Sequence, residues 1–147
     1  MVSGVLLATF IVLAAMTANA EPLSDQIKAG LSENKQIYVA TRRADGSVSD
    51  AVPIWFSWDG KDLYFTTSPD SHKAKRIRRG SPVLVSVESA EGPFAEGRGE
   101  IINDLAVVER MGEAYKEKYW IAWLGLFRPR ADRVAEGKTV AVKVTFE

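Results

Sequence analysis

The sequence predicts a mainly β domain, a closed or partly closed antiparallel barrel with peripheral helices. Three observations carry this expectation. Short runs of alternating apolar and polar residues recur six times after residue 35, and turn signals such as Asp45-Gly46, Asp59-Gly60 and Gly92-Pro93 separate several of them. Helical periodicity is confined to the start of the chain, to the stretch between the third and fourth runs, and to the stretch between the fifth and sixth. The 147 residues are 46% hydrophobic and 26% charged, which suits one globular domain.

Leu23, Ile27 and Leu31 share one face at four-residue spacing, so an amphipathic helix is expected over Leu23–Leu31. Gln36–Arg43 is the first strand, and Ala44-Asp45-Gly46 is a hairpin signal leading to a second strand over Val48–Trp58. The third strand, Leu63–Thr67, runs into a basic helix that contains Lys73, Lys75, Arg76, Arg78 and Arg79. Ser68-Pro69 supplies a cap residue followed by proline, placing the helix start near Pro69. Pro82–Glu88 is the fourth strand and Phe94–Ile102 the fifth, where Gly97 and Gly99 around Arg98 suggest a bulge or a strong bend. Asp104 opens a helical region over Leu105–Phe127, expected as two pieces meeting near Lys118. Val140, Val142, Val144 and Phe146 share one face of a sixth strand.

Composition removes several function classes. No cysteine is present, so disulfides, thiolate metal sites and cysteine nucleophiles are absent, and His72, the single histidine, argues against a histidine metal site or a Ser-His-Asp triad. Lys plus Arg balances Asp plus Glu at 19 each, which leaves no large basic face for nucleic acid. Val5–Met16 is almost wholly apolar, too short for a comfortable membrane span, and Thr17-Ala18-Asn19-Ala20 ends in an Ala-x-Ala pattern. Residues 1–20 are therefore expected to be a secretory signal peptide preceding a single domain over 21–147, exported to the periplasm or medium and without stable membrane insertion after cleavage. Residues 1–4 carry no Lys or Arg, so an uncleaved anchor stays open, as does a misassigned start codon on a cytoplasmic protein.

The passage from the third strand into the basic helix is the first candidate site. Amide hydrogens at a helix start lack intrahelical partners and favour an anion, and the hydroxyls of Thr66, Thr67 and Ser71 with the Lys73 ammonium could surround a phosphate there. The competing reading is a turn with no ligand at all.

Taken together, the runs Ala40–Ser47 (ATRRADGS), Val52–Phe56 (VPIWF), Leu63–Thr67 (LYFTT), Ser71–Lys73 (SHK), Ile77–Gly80 (IRRG) and Val83–Val87 (VLVSV) resemble the pyridoxamine 5'-phosphate oxidase-like family of flavin-binding split barrels. Within that family the chain is most similar to small single-domain members that depend on a deazaflavin, coenzyme F-420, and Glu96–Ile101 (EGRGEI) sits at their glycine-containing fifth strand. The resemblance spans nearly the whole of residues 21–147. It implies a six-stranded Greek-key split β-barrel forming a homodimer, with FMN, or alternatively the deazaflavin, bound at the interface. Carried over residue by residue, Val52, Pro53, Ile54 and Trp55 would line the flavin ring, Thr66 and Thr67 would meet its phosphate, and Ser71, His72 and Lys73 fall on the family's Ser-Arg-Lys motif. His72 stands where that motif has a permanently charged guanidinium, which leaves Lys73 as the principal phosphate partner. Ala95 stands where flavin-oxidising relatives often carry glutamine, and the C-terminal substrate-phosphate residues of the true oxidase have no counterpart, so pyridoxamine phosphate oxidation is not implied.

The resemblance therefore implies a flavin- or deazaflavin-dependent oxidoreductase acting on a small planar or conjugated organic substrate. Hydride transfer would come from the cofactor, so no catalytic residue is expected. The alternative on the same barrel is an exported, non-enzymatic carrier of a flavin or tetrapyrrole. Tyr119, Trp120, Trp123 and Phe127 either line a planar ligand's pocket or pack the last helix onto the barrel or its partner, and packing is the expected role. Arg128, Arg130 and Arg133 read as a solvated loop, with contact to an anionic substrate or cofactor tail as the second reading.

Overall fold

A computed structural model describes residues 23–124 and 127–146 of the chain. Helix α1 spans Asp25–Glu33, and the Ser24 hydroxyl caps it by accepting the Ile27 amide at 3.3 Å. Strands follow at Ile37–Thr41 (β1), Val52–Ile54 (β2), Ser57–Trp58 (β3) and Asp62–Thr67 (β4). Helix α2 covers His72–Arg78, then come β5 (Pro82–Ser86) and β6 (Ala95–Ile102). Helix α3 (Leu105–Lys118) leads into a 3-10 turn (Trp120–Leu124), a short helix α4 (Ala131–Ala135), and β7 (Val140–Thr145).

The strands form one antiparallel sheet in the order β2-β1-β5-β6-β7-β4-β3. The two edge strands, β2 and β3, are consecutive pieces of one extended segment, parted only by Trp55 and Phe56. The sheet thus curls until both edges share a single stretch of chain, which is the closure expected of a barrel. Inside lies one core of Leu31, Ile37, Val39, Phe56, Leu63, Phe65, Ile77, Val83, Val85, Val142 and Val144. Outside, α3 covers the sheet through Val108 and Met111 on Ile102 and Ala141, with Ala131 and Val134 of α4 packed against the same cluster.

Seven strands replace the expected six because the run read as Val48–Trp58 serves two partners. Val52–Ile54 pairs with β1, whereas Ser57–Trp58 pairs with β4. Val48 keeps only an isolated bridge to Arg42. The backbone at the handover cannot join either ladder, and α3 satisfies it instead. The Tyr115 hydroxyl donates to the Trp55 carbonyl at 2.9 Å, the Tyr119 hydroxyl accepts the Phe56 amide at 3.1 Å, and the Lys118 ammonium donates to the Phe56 carbonyl at 3.2 Å.

Gly97 and Gly99 do not mark a bulge. The β6 register runs without an inserted residue against β5 and then β7, so no bulge forms. A Cβ on Gly97 would lie 2.6 Å from Val144 Cγ1, and one on Gly99 would lie 2.8 Å from Val83 Cγ2. These glycines let core side chains cross the strand. Helix α2 also begins later than Ser68-Pro69 suggests. The Ser71 amide first turns back onto the Ser68 carbonyl at 3.1 Å, and Ser71 becomes the cap, accepting the Ala74 amide at 3.1 Å. The expected break near Lys118 is present, while α4 had no counterpart in the sequence reading. Among the described residues no helix is long and apolar enough to cross a membrane, and the expected signal segment, residues 1–20, lies outside them.

Candidate active site

Trp55 occupies the two-residue handover between β2 and β3, and its placement is tightly determined. Tyr119 stacks on its indole with ring centroids 4.2 Å apart and planes 3° from parallel, and Phe127 meets it edge-on at 6.1 Å. The Tyr119 hydroxyl also donates to the Lys35 carbonyl at 2.7 Å. Burial pushes this phenol up to about 12, and pushes the Tyr115 phenol well above its ordinary value, so both stay protonated donors. Lys118 lies 3.2 Å from the Phe56 ring centroid, and burial draws its ammonium down to about 8.

Beside Trp55 opens a cavity of about 670 Å³, lined by Ile54, Trp55, Thr66, Tyr115, Phe127, Arg128, Arg130, Arg133 and Thr139. Its size falls within the ordinary range of small-molecule sites, roughly 300–1,000 Å³. β2, β4, α3 and α4 with its flanking residues build it, so positions from Ile54 to Thr139 converge on one surface. A larger cavity of about 950 Å³ lies between α3 and α4. It carries Glu109, Glu113, Glu117 and Asp132 beside Arg110, Arg128 and Arg130; Arg128 and Arg130 border both cavities, and Arg128 forms no ion pair with any of these carboxylates.

The expected site residues divide into two groups. Ile54, Trp55 and Thr66 line the 670 Å³ cavity, and Val52 and Pro53 continue from it as exposed residues on the edge strand β2. Thr67 and Ser71 meet elsewhere, at the far end of β4, where their hydroxyls are 3.0 Å apart. Lys73 lies with its ammonium 5.9 Å from the Phe65 ring centroid, and burial lowers its proton affinity. His72 is exposed on the first turn of α2. Thr66 and Thr67 separate because adjacent strand residues face opposite sides of a sheet.

The sequence reading missed Tyr115 and Thr139 as cavity residues, and their spacing offered no signal for them. Arg128, Arg130 and Arg133, read first as a solvated loop, form one cavity wall. Tyr119 packs as expected and is buried, but Trp120 is 74% exposed and Phe127 73%, so neither is packed away on the barrel. The Trp123 side chain lies outside the described residues.

A family model described as pyridoxamine 5'-phosphate oxidase matches residues 23–147. Among solved structures, an F420 reductase is 26% identical, with a TM-score of 0.55 over 84% of this chain and 94% of that one. A conserved hypothetical protein of Mycobacterium tuberculosis is 20% identical, with a TM-score of 0.61 over 88% of this chain and 84% of that one. An FAD- and heme-binding protein of Mycobacterium smegmatis is 19% identical, with a TM-score of 0.59 over 86% of this chain and 68% of that one. A sequence comparison with curated proteins finds no match.

Proposed function

We infer the function from one premise: this chain belongs to the pyridoxamine 5'-phosphate oxidase family. Membership and the similarity to an F420 reductase support a flavin-type cofactor and oxidoreductase chemistry. The finer reading we propose is a reductase or oxidase of a small conjugated substrate, with FMN or the deazaflavin held where two copies of the chain meet. The observation that carries it is the cavity beside Trp55. Ile54, Trp55 and Thr66, expected from the sequence to meet the cofactor, line one concave surface of suitable size, and cationic side chains stand nearby for an anionic ligand.

A bound flavin or deazaflavin supplies the hydride chemistry itself. The chain's own contribution is positional. The edge strand β2 offers unpaired backbone groups beside the ring's expected place, and the Tyr115 and Tyr119 contacts hold Trp55 so that its orientation does not wander. Lys73, partly desolvated over the Phe65 ring, would serve the cofactor phosphate.

Fluorescence titration of the whole chain with FMN, and separately with the deazaflavin, tests the reading. Saturable quenching by one of them is expected and selects the cofactor, and Lys73→Ala should weaken that binding by about 1–3 kcal/mol. Quenching by neither would sink the oxidoreductase reading. An exported carrier would instead retain a ligand without reducing any acceptor.

A further inference from the structure

We propose that the arginine wall of the cavity is a separate anion-binding subsite, which takes the carboxylate or phosphate of a planar ligand lying beside Trp55. The proposal deepens the reading above and rests on it only for the cavity's role. Nine residues line the cavity, three of them arginines and none acidic. Arg130 is already neutralised, donating to Asp132 through Nε at 3.0 Å and Nη2 at 2.6 Å. Arg128 and Arg133 have no carboxylate partner among the described residues.

Arg128 shows the clearest imbalance. Its side chain is half-buried, and its Nε is sealed from solvent with no hydrogen-bond partner. A guanidinium donor removed from water without an acceptor is costly, so such groups normally have a hydrogen-bond acceptor. Arg133 is held in place, its Nε donating to Thr139 Oγ1 at 3.3 Å. Thr66 and Thr139 add hydroxyls to the same cavity. Two guanidiniums without an ion-pair partner, two hydroxyls and an adjacent indole together match an aromatic acid or a phosphorylated ring compound. Lys73 and Ser71 do not line this cavity, so the wall is distinct from the phosphate group expected at α2.

Two ligand pairs, each a charged molecule and its neutral analogue, test the subsite: FMN against riboflavin, and naphthalene-2-carboxylate against naphthalene-2-carboxamide. Binding to the whole chain is followed by quenching of tryptophan emission for the naphthalene pair and of flavin emission for the other. At least one pair should show a tenfold or greater preference for the anion, falling below threefold in Arg128→Gln and in Arg133→Gln, and recovering in Arg128→Lys. Loss confined to the naphthalene pair assigns the subsite to substrate, and loss in the flavin pair assigns it to the cofactor phosphate in place of Lys73. An anion preference that survives in both glutamine variants, or no preference in either pair, overturns the proposal. The naphthalene arm needs no flavin, so it separates failure of the subsite from failure of the cofactor reading. Unfolding curves for each variant exclude loss of fold as the cause.

Discussion

Tyr119→Phe removes one oxygen atom at the point where the barrel closes. The ring and its stack on Trp55 are retained, so the substitution isolates the hydroxyl. That hydroxyl accepts from the Phe56 amide at 3.1 Å and donates to the Lys35 carbonyl at 2.7 Å. Phe56 is fully buried, so its amide loses a partner that water cannot easily replace, at about 1–3 kcal/mol. Lys35 is exposed and its carbonyl can turn to solvent, so its share is smaller, about 0.5–1 kcal/mol. The total is about 1.5–4 kcal/mol, or a fall in Tm of roughly 6–16 °C for a domain of this size. Urea unfolding followed by tryptophan emission and thermal unfolding by circular dichroism would measure it. A loss below about 0.5 kcal/mol would refute the claim that this hydroxyl holds the β2–β3 handover.

Lys118 and the buried tyrosines impose opposite slopes on stability against pH. Burial lowers Lys118 to about 8, so below that value the folded state carries a disfavoured charge; stability rises as pH climbs from about 8 toward the ordinary lysine value. Half of the side chain faces solvent and the Phe56 ring and carbonyl favour the ammonium, so we expect only about 1 kcal/mol from this rise, and Lys118→Met should flatten it in urea titrations across pH 7–10. Tyr64 and Tyr119, both raised to about 12, act in the reverse sense: their contribution is whole below pH 10 and disappears as pH rises through 12, so the stability curve should turn downward above pH 10. Gly97→Ala drives a methyl group against Val144 in the core and should cost about 1–3 kcal/mol by chemical denaturation, whereas an unchanged midpoint would mean that β6 shifts freely. Trp120→Ala, at a side chain 74% exposed, should change the stability of the single chain by less than about 0.5 kcal/mol while lowering any self-association seen by sedimentation.

The strands were legible because alternation is local. Leu63 and Phe65 alternate with Tyr64 in burial class, as their spacing suggests. The division of Val48–Trp58 was not legible, because period-two alternation says nothing about which partner a strand chooses, and here the partners change at Trp55. Ser68-Pro69 is the stronger cap signal on paper. Ser71 wins because its hydroxyl also meets Thr67, a contact set by where β4 ends. Helix α4 has five residues and no side-chain cap, so only packing through Ala131 and Val134 onto the α3 cluster explains it. For the candidate site, Ile54, Trp55 and Thr66 were readable from the motif run. The arginine wall was not, since Arg128, Arg130 and Arg133 resemble any basic loop until α4 brings them opposite Thr66.

The junction at Trp55 and Phe56 also sets how this barrel can breathe. Most barrels are sealed by a row of hydrogen bonds between first and last strands, and such a seam can unzip one rung at a time. Here the seam is the polypeptide itself, running from Ile54 to Ser57. Whatever thermal motion loosens the Tyr115, Tyr119 and Lys118 contacts, the two margins stay tethered and can part by no more than about 10 Å, the reach of three extended residue steps. Because Trp55 sits on that tether and on the cavity wall together, widening the seam and reshaping the cavity are one motion with a built-in mechanical stop.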